Sequence, residues 1–326
     1  MLLRYFRNRN DHILWPAIRR RSLQLRRLTV RRVVRGIARR TGLHRVWIPG
    51  IRPYNLLQDN REFIHCHACG VNGYRTFIRD PHHQVVRCPN CGLYYVNPVP
   101  TAAELSRRVQ ESAAYTEDQL RKKEFFWRRA ERLLNHIETF MPPGRLLDVG
   151  CAIGTELRVA QERGWKVTGI ELAESSVRIA RQAGFEVHAV PLIEAGFRTR
   201  AFDLITMNHV LEHVAHTPVF MREAHRTLAD DGVLFLSLPN VHAWKFYFRR
   251  GAYAWTFHED HYIHFSIETL PKFLQRHKFQ VIEISTSRWL DFHDRPENHS
   301  SLFQAINNAI ERLNMGIEIF CLARKM

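Results

Sequence analysis

The sequence predicts an α/β fold, an open and mainly parallel sheet with a small metal-binding ribbon ahead of it. Three observations carry that prediction. The apolar run Leu146, Leu147, Asp148, Val149 breaks at Gly150, and a second glycine, Gly154, closes the turn before a helical pattern begins. A further run from Trp165 to Ile170 ends in Glu171, about twenty positions downstream, where a carboxylate can accept hydrogen bonds from a ribose diol. Upstream, Cys66 and Cys69 form one CxxC pair and Cys88 and Cys91 another, with 18 residues between the pairs.

The chain begins with an arm. Of the net charge of +16, residues 1–47 carry +13, from fourteen arginines and the single acid Asp11, which leaves +3 for everything else. Leu23, Val30, Val33, Val34 and Ile37 share one helical sector, with Arg31, Arg32, Arg35 and Arg39 outside it and Arg26 intruding. A basic amphipathic segment of this kind suits an anionic membrane surface. A nucleic-acid arm, a transit peptide and a solvated tail are the rival readings. A purely phosphate-binding arm has no need of the aliphatic stripe, and the nearly balanced body makes nucleic acid the less favoured partner.

Residues 60–100 read as a zinc ribbon. Two turns that each end in glycine, at Gly70 and Gly92, let four thiolates converge on one tetrahedral ion, with Cys66, Cys69, Cys88 and Cys91 as the ligands. Disulfides are the alternative, and paired CxxC turns favour metal over oxidation. Four thiolates leave no open position, so the zinc is structural. Residues 74–78 and 84–87 are the expected ribbon strands, and Cys151 and Cys321 read as buried thiols. Residues 101–142 carry helical patterning with Phe125, Phe126, Leu133, Leu134 and Ile137 as packing positions, a linker or a cap over the cleft.

The domain at 143–326 is predicted from ordered motifs. The spacing of Gly150 and Gly154 departs from the dinucleotide fingerprint, which disfavours nicotinamide and flavin. Residues 202–214 read as a strand running into a loop that ends Val210, Leu211, Glu212, His213, Val214. Residues 228–240 read as a helix end, a turn and a buried strand, and His264, Phe265, Ser266 and Leu270 follow.

Taken in this order, the segments resemble the class I S-adenosylmethionine-dependent methyltransferases. The segment from Gly92 to Pro100 is similar to the one that closes the zinc-binding part of bacterial enzymes acting on sugars and other small or surface-glycan substrates, with Val99 in place of the usual arginine. The resemblance implies a Rossmann-like seven-stranded methyltransferase sheet in the order 3-2-1-4-5-7-6, counted within the domain, with residues 316–322 returning antiparallel beside the fifth strand. It implies S-adenosylmethionine as cofactor, with Asp148, Gly150 and Gly154 along its methionine part, Glu171 on the ribose, and Leu172 and Asn208 beside it. Ala152 stands where many members have glycine, and residues 187–192 offer no acid for the adenine amine, Glu194 being the nearest.

Methyl transfer from a sulfonium is an in-line displacement that needs alignment, water exclusion and, for a hydroxyl acceptor, a place for one proton. Histidine titrates near pH 6.5 and suits that task. His209 and His213 after the fourth strand, and His261 in the polar and aromatic stretch 253–265, are the candidates, with His261 favoured as base and His213 as a loop-orienting alternative. The acceptor class is a small molecule or glycan, including lipid-linked ones. An RNA methyltransferase using ribbon and arm for docking is one alternative. A non-catalytic binding protein is another, opposed by the intact Asp148, Gly150, Gly154 and Glu171. The sequence has no apolar run of eighteen residues and no secretory h-region, which predicts a cytoplasmic protein, peripheral at the inner membrane face if the arm docks there.

Overall fold

The computed structural model describes residues 61–79, 84–101, 104–105, 113–244, 257, 260–286, 308–310 and 312–326. The basic arm at 1–47 lies outside the described residues.

The ribbon is built from two knuckles of the same construction. In the first, Gly70 N donates to Cys66 O (2.7 Å) and Cys66 N to Val71 O (3.2 Å); in the second, Gly92 N donates to Cys88 O (3.2 Å) and Cys88 N to Leu93 O (2.8 Å). β1 (Arg61–Glu62) precedes the first knuckle, β2 (Arg75–Arg79) and β3 (Gln84–Arg87) run between the two, and β4 (Tyr94–Val96) and β5 (Val99–Pro100) follow the second. β2, β3 and β4 pair antiparallel, as the expected ribbon strands require. Asn97 ties the edge together: its Oδ1 accepts from Ile64 N (3.0 Å) and its Nδ2 donates to Ile64 O (3.2 Å). Val99, where the similar segment usually has arginine, is fully buried and pairs with Glu62.

Two helices follow, α1 (Ala113–Arg121) and α2 (Lys123–Ile137). In α2, Ala130, Leu133, Leu134 and Ile137 are buried, the i, i+3, i+4, i+7 stripe of a helix laid on a core. Each fully covered aliphatic side chain there contributes about 1.5–3 kcal/mol of burial. Phe125 and Phe126 are only half-buried.

The main sheet then alternates strand and helix: β6 (Arg145–Val149), α3 (Thr155–Glu162), β7 (Lys166–Ile170), α4 (Glu174–Gln182), β8 (Val187–His188), β9 (Phe202–Asn208), α5 (Thr217–Thr227) and β10 (Leu228–Pro239). It ends with β11 (Ile263–His264), α6 (Leu270–Arg276), β12 (Phe279–Thr286) and β13 (Glu318–Lys325). Seven strands form one sheet in the order β8-β7-β6-β9-β10-β13-β12. Counted within the domain this is 3-2-1-4-5-7-6, with β13 antiparallel to both neighbours. The Rossmann-like methyltransferase sheet expected from the resemblance is the one observed.

Two local differences from the sequence reading have physical causes. Residues 228–232, expected as a helix end and turn, belong to β10, which pairs with β9 at Leu228 and again from Val233 with a register shift between. The shift absorbs Asp230, Asp231 and Gly232 as an irregularity within the strand. β11 is the larger surprise. It lies within the methyltransferase segment of the sequence yet extends the ribbon sheet, Ile263 opposite Tyr95 and His264 opposite Tyr94. One hydrophobic core accordingly joins Cys66, Val86 and Leu93 of the ribbon to Leu147, Ile205 and Phe273 of the sheet and helices.

Candidate active site

The end of β6 turns sharply. Gly150 has φ +80°, and a Cβ there would sit 2.7 Å from Val210 Cγ2; Gly154 has φ +83°, and a Cβ would sit 2.9 Å from Phe185. Both positions need glycine for conformation and for space. Ala152, between them, also adopts φ +47°, a left-handed conformation that costs an alanine about 1–2 kcal/mol relative to glycine. Glu171 secures the turn from the next strand: its carboxylate accepts from Ala152 N (2.9 Å), Leu172 N (2.7 Å) and Ala173 N (2.8 Å). Leu172 is exposed at 38%, as is Ile193 at 48%, apolar surface beside an acidic turn.

Three carboxylates surround this turn. Asp148 is buried and accepts a 3.3 Å bond from Thr206 Oγ1. Glu156, in the first turn of α3, accepts from Asn208 Nδ2 (2.7 Å), and its second oxygen is buried with no hydrogen-bond partner. Burial first, and then the charge of Glu156, push the Asp148 carboxyl well above the usual carboxylate range; burial does the same to Glu156. Such a site calls for a cation. S-adenosylmethionine brings an α-ammonium, a sulfonium and a ribose diol, and an orphaned carboxylate oxygen, two acids strained by mutual repulsion and a glycine turn open to close approach fit that group. The sequence-derived residues Asp148, Gly150, Gly154, Glu171, Leu172 and Asn208 are thus gathered at the carboxyl edge of the sheet, where open α/β folds hold ligands. Glu156 was not among them.

Beside this turn lies a buried ion network. Glu318, at the start of β13, accepts from both terminal nitrogens of Arg129 in α2, from Ser237 Oγ (2.5 Å) and from His209 Nε2 (2.8 Å). The other ring nitrogen of His209 bonds Glu212 Oε1 (3.0 Å). Burial alone would lower the His209 pKa, but Glu318 and Glu212 overrule it and raise it to about 9, so the ring is an imidazolium at neutral pH. Burial likewise opposes ionisation of Glu318, yet Arg129 and His209 hold its carboxyl well below the usual range. Arg129 and Glu318 were legible only as anomalies. Arg129 interrupts the apolar stripe Phe125, Leu133 at four-residue spacing, and Glu318 sits in an otherwise apolar strand.

His213 and His261 meet face to edge, ring centroids 4.7 Å apart. His213 is exposed and its Nδ1 donates to Asp260 O (3.0 Å), whereas His261 is 8% exposed. Tyr262, next in the chain, donates its N–H to Glu212 O (2.7 Å) and accepts from Val96 N of β4 (2.8 Å). All three candidate histidines therefore converge after β9, and the ribbon holds the segment that delivers His261. A cavity of about 650 Å³ is lined by Phe125, Arg129, Asn208, Phe235 and Phe320 among others, and none of the three histidines lines it.

In the ribbon, Cys66 Sγ lies 3.5 Å from Cys91 Sγ, and Cys69 Sγ 3.5 Å from Cys88 Sγ. These separations exceed a disulfide bond of about 2.0 Å and approach the edge, roughly 3.8 Å, of a tetrahedron with Zn–S bonds of about 2.3 Å. All four sulfurs lie within 4.8 Å of one another. The donor set fits zinc. Within the first knuckle, His67 Nδ1 bonds Thr217 Oγ1 at the start of α5 (2.7 Å), docking that knuckle on the helix.

The sheet order and the acidic glycine turn at its carboxyl edge define a class I S-adenosylmethionine-dependent methyltransferase. Residues 120–284 match the profile described as "Methyltransferase domain", and the chain belongs to that family. A ubiquinone biosynthesis O-methyltransferase from Idiomarina loihiensis is 32% identical over 110 residues, 31% of this chain and 45% of the relative. One from Xanthomonas oryzae pv. oryzae is 37% identical over 103 residues, 29% of this chain and 43% of the relative. The matched stretch thus spans less than half of each curated relative. Among solved structures, a chain from the complex of the Haloferax volcanii Trm112 methyltransferase activator with a methyltransferase shares the fold at TM-score 0.51 and 15% identity, covering 65% of this chain and 94% of that one.

Proposed function

We propose that this chain transfers a methyl group from S-adenosylmethionine to a hydroxyl of a small-molecule acceptor. The observation that carries the reading is the acidic turn around Gly150 and Gly154, where the buried Asp148 and an unpartnered buried oxygen of Glu156 leave a site complementary to a cationic nucleoside, with Glu171 holding the turn. The O-methyltransferase activity in the names of the similar proteins supports an oxygen acceptor. The likeness of residues 92–100 to the ribbon of sugar-modifying enzymes favours a glycan or lipid-linked acceptor within that class.

S-adenosylmethionine, when bound, supplies an electrophilic methyl on sulfur. Asp148 and Glu156 would face its cationic methionine part, Glu171 its ribose hydroxyls, and the exposed Leu172 and Ile193 its base. Asn208, bonded to Glu156 and lining the cavity, joins the cofactor turn to the acceptor side. Alignment of the two accounts for most of the acceleration, on the order of 7–11 kcal/mol in favourable systems. The acceptor's proton is dealt with at His213 and His261. His209 is already protonated between two carboxylates and serves to position Glu212. Four thiolates at Cys66, Cys69, Cys88 and Cys91 hold a structural zinc.

Asp148→Ala and Glu171→Ala are each expected to weaken S-adenosylmethionine binding by about 1–3 kcal/mol, the cost of unmet charge-assisted partners. Calorimetric affinities unchanged in both variants would overturn the cofactor assignment.

No helix among the described residues is long and apolar enough to cross a membrane. The arm at 1–47 is assigned to docking on an anionic membrane surface, each surface-proximal arginine contributing about 1 kcal/mol. Its deletion should abolish binding to phosphatidylserine-containing vesicles and spare activity on a soluble acceptor analogue. Weak vesicle binding together with a steeply salt-dependent affinity for RNA would reverse this assignment.

A further inference from the structure

We infer that Glu212, His213 and His261 form a binding site for a divalent transition-metal ion at the acceptor side of the cleft, distinct from the four-cysteine site of the ribbon. The inference rests on the methyltransferase reading only for its use, not for its chemistry. Each of the three residues offers one ligand atom, and the three atoms lie within 4.8 Å of one another. Two imidazoles and one carboxylate, with the remaining positions open, are a donor set that suits catalytic zinc, manganese or iron.

Three features distinguish this cluster from a chance meeting of polar groups. Glu212 is 1% exposed, and its Oε2 is buried with no hydrogen-bond partner, a costly arrangement for a carboxylate. Its other oxygen is taken by His209, whose second nitrogen is anchored on Glu318, so the carboxylate cannot swing to satisfy Oε2 elsewhere. His213 Nδ1 bonds the carbonyl of Asp260, which can only accept; the proton is therefore on Nδ1, and in the neutral ring Nε2 is left as a lone pair. Metal-bound histidines are held in this way by a backbone carbonyl behind the ring. A ring nitrogen of each histidine and a carboxylate oxygen of Glu212 are thus gathered within 4.8 Å, an arrangement that a cation among them would stabilise. Side-chain rotation would have to bring the three ligand atoms from separations of up to 4.8 Å to the roughly 2.8–3.6 Å between donors around an ion at bond lengths of about 2.0–2.2 Å.

The site is open on one side, because His213 is exposed. An acceptor hydroxyl or catechol oxygen occupying that side would bind the ion and give up its proton to solvent at neutral pH, as water does on zinc. On this reading His213 and His261 act on the acceptor proton through the cation.

The test uses the full chain with its ribbon zinc in place and Mn²⁺ as the probe, since manganese has the lowest affinity of the series and little preference for thiolates. Electron paramagnetic resonance of free Mn²⁺ during titration should show one site per chain. His213→Ala, at an exposed position, should weaken that site at least about tenfold, as should Glu212→Gln and His261→Asn, with circular dichroism checking that each variant is folded. No manganese bound by the wild-type chain, or an affinity unchanged in His213→Ala, would overturn the proposal. Calorimetry with S-adenosylmethionine on the same samples separates the two readings: cofactor binding without manganese binding removes the metal site alone, and manganese binding without cofactor binding removes the methyltransferase assignment alone.

Discussion

Cys88→Ser is expected to lose the ribbon zinc and, with it, the acceptor side of the active site. A zinc site of this kind contributes on the order of 10–16 kcal/mol of apparent binding free energy to the folding of isolated small fingers, so losing one of four thiolates removes the main support of two turns that have little core of their own. From the sequence, losing Cys88 loosens the ribbon and leaves the distant cofactor cleft partly competent. The structure adds a consequence for the acceptor side, because β4 leaves the second knuckle and pairs directly with β11, beside His261. When the knuckle loosens, the bond from Val96 N to Tyr262 O has no rigid partner, and His261 loses its anchor. The cofactor turn depends instead on β6 and β7, with Gly150 N and Cys151 N both on Ile170 O. The variant should therefore retain S-adenosylmethionine binding within a few-fold while methyl transfer falls by orders of magnitude. Hydrogen exchange at the Val96 amide should accelerate together with zinc loss. Zinc loss with full protection at Val96 and full activity would show that β11 is held by the methyltransferase sheet alone.

The legible part of this fold is the part whose signals are local. A strand that breaks at Gly150, the acid closing the next strand and the paired CxxC turns each announce themselves within about ten residues, and the sheet order follows from the family resemblance they support. β11 was not legible. It is two residues long and pairs with a strand about 170 positions earlier, and no periodicity records a partner at that distance. The candidate histidines lie near one another in the fold, but what surrounds them was not foreseen. The raised pKa of His209 depends on Glu318, more than a hundred residues on, and on Glu212. Glu156 escaped because an acid in the first turn of a helix is ordinarily a favourable surface feature. Here α3 starts from a buried turn and carries that carboxylate inward against Asn208. In each case the missing knowledge is a contact between distant segments, and it falls on the charged residues, whose cost when buried makes them informative.

Glu318→Ala is expected to be the most destabilising single substitution outside the ribbon, at about 3–5 kcal/mol. The carboxylate is 4% exposed at its side chain and stands between the Arg129 guanidinium and the His209 imidazolium; without it, the guanidinium loses the acceptor of two of its nitrogens and the imidazolium keeps only Glu212 as its carboxylate partner in this network. Replacing a buried ion pair by apolar groups can be neutral, but removing one partner is not, and here the removed partner serves two cations and the hydroxyl of Ser237. The sign of the pH dependence follows from the depressed folded-state pKa of Glu318. A carboxyl held below its unfolded value of about 4.3 adds stability that is fully present above that value and is lost as pH falls, by up to about 1.4 kcal/mol for each unit. The stability gap between the wild-type chain and Glu318→Gln should therefore grow a little as pH falls from 7 through the unfolded-state pKa of His209 near 6.5, level off towards pH 5 and shrink steadily towards pH 3. Urea denaturation of both chains across that range measures it. A gap that stays constant down to pH 3 would mean that Glu318 contributes by shape and neutral hydrogen bonding, and that Arg129 and His209 find their counter-charge elsewhere.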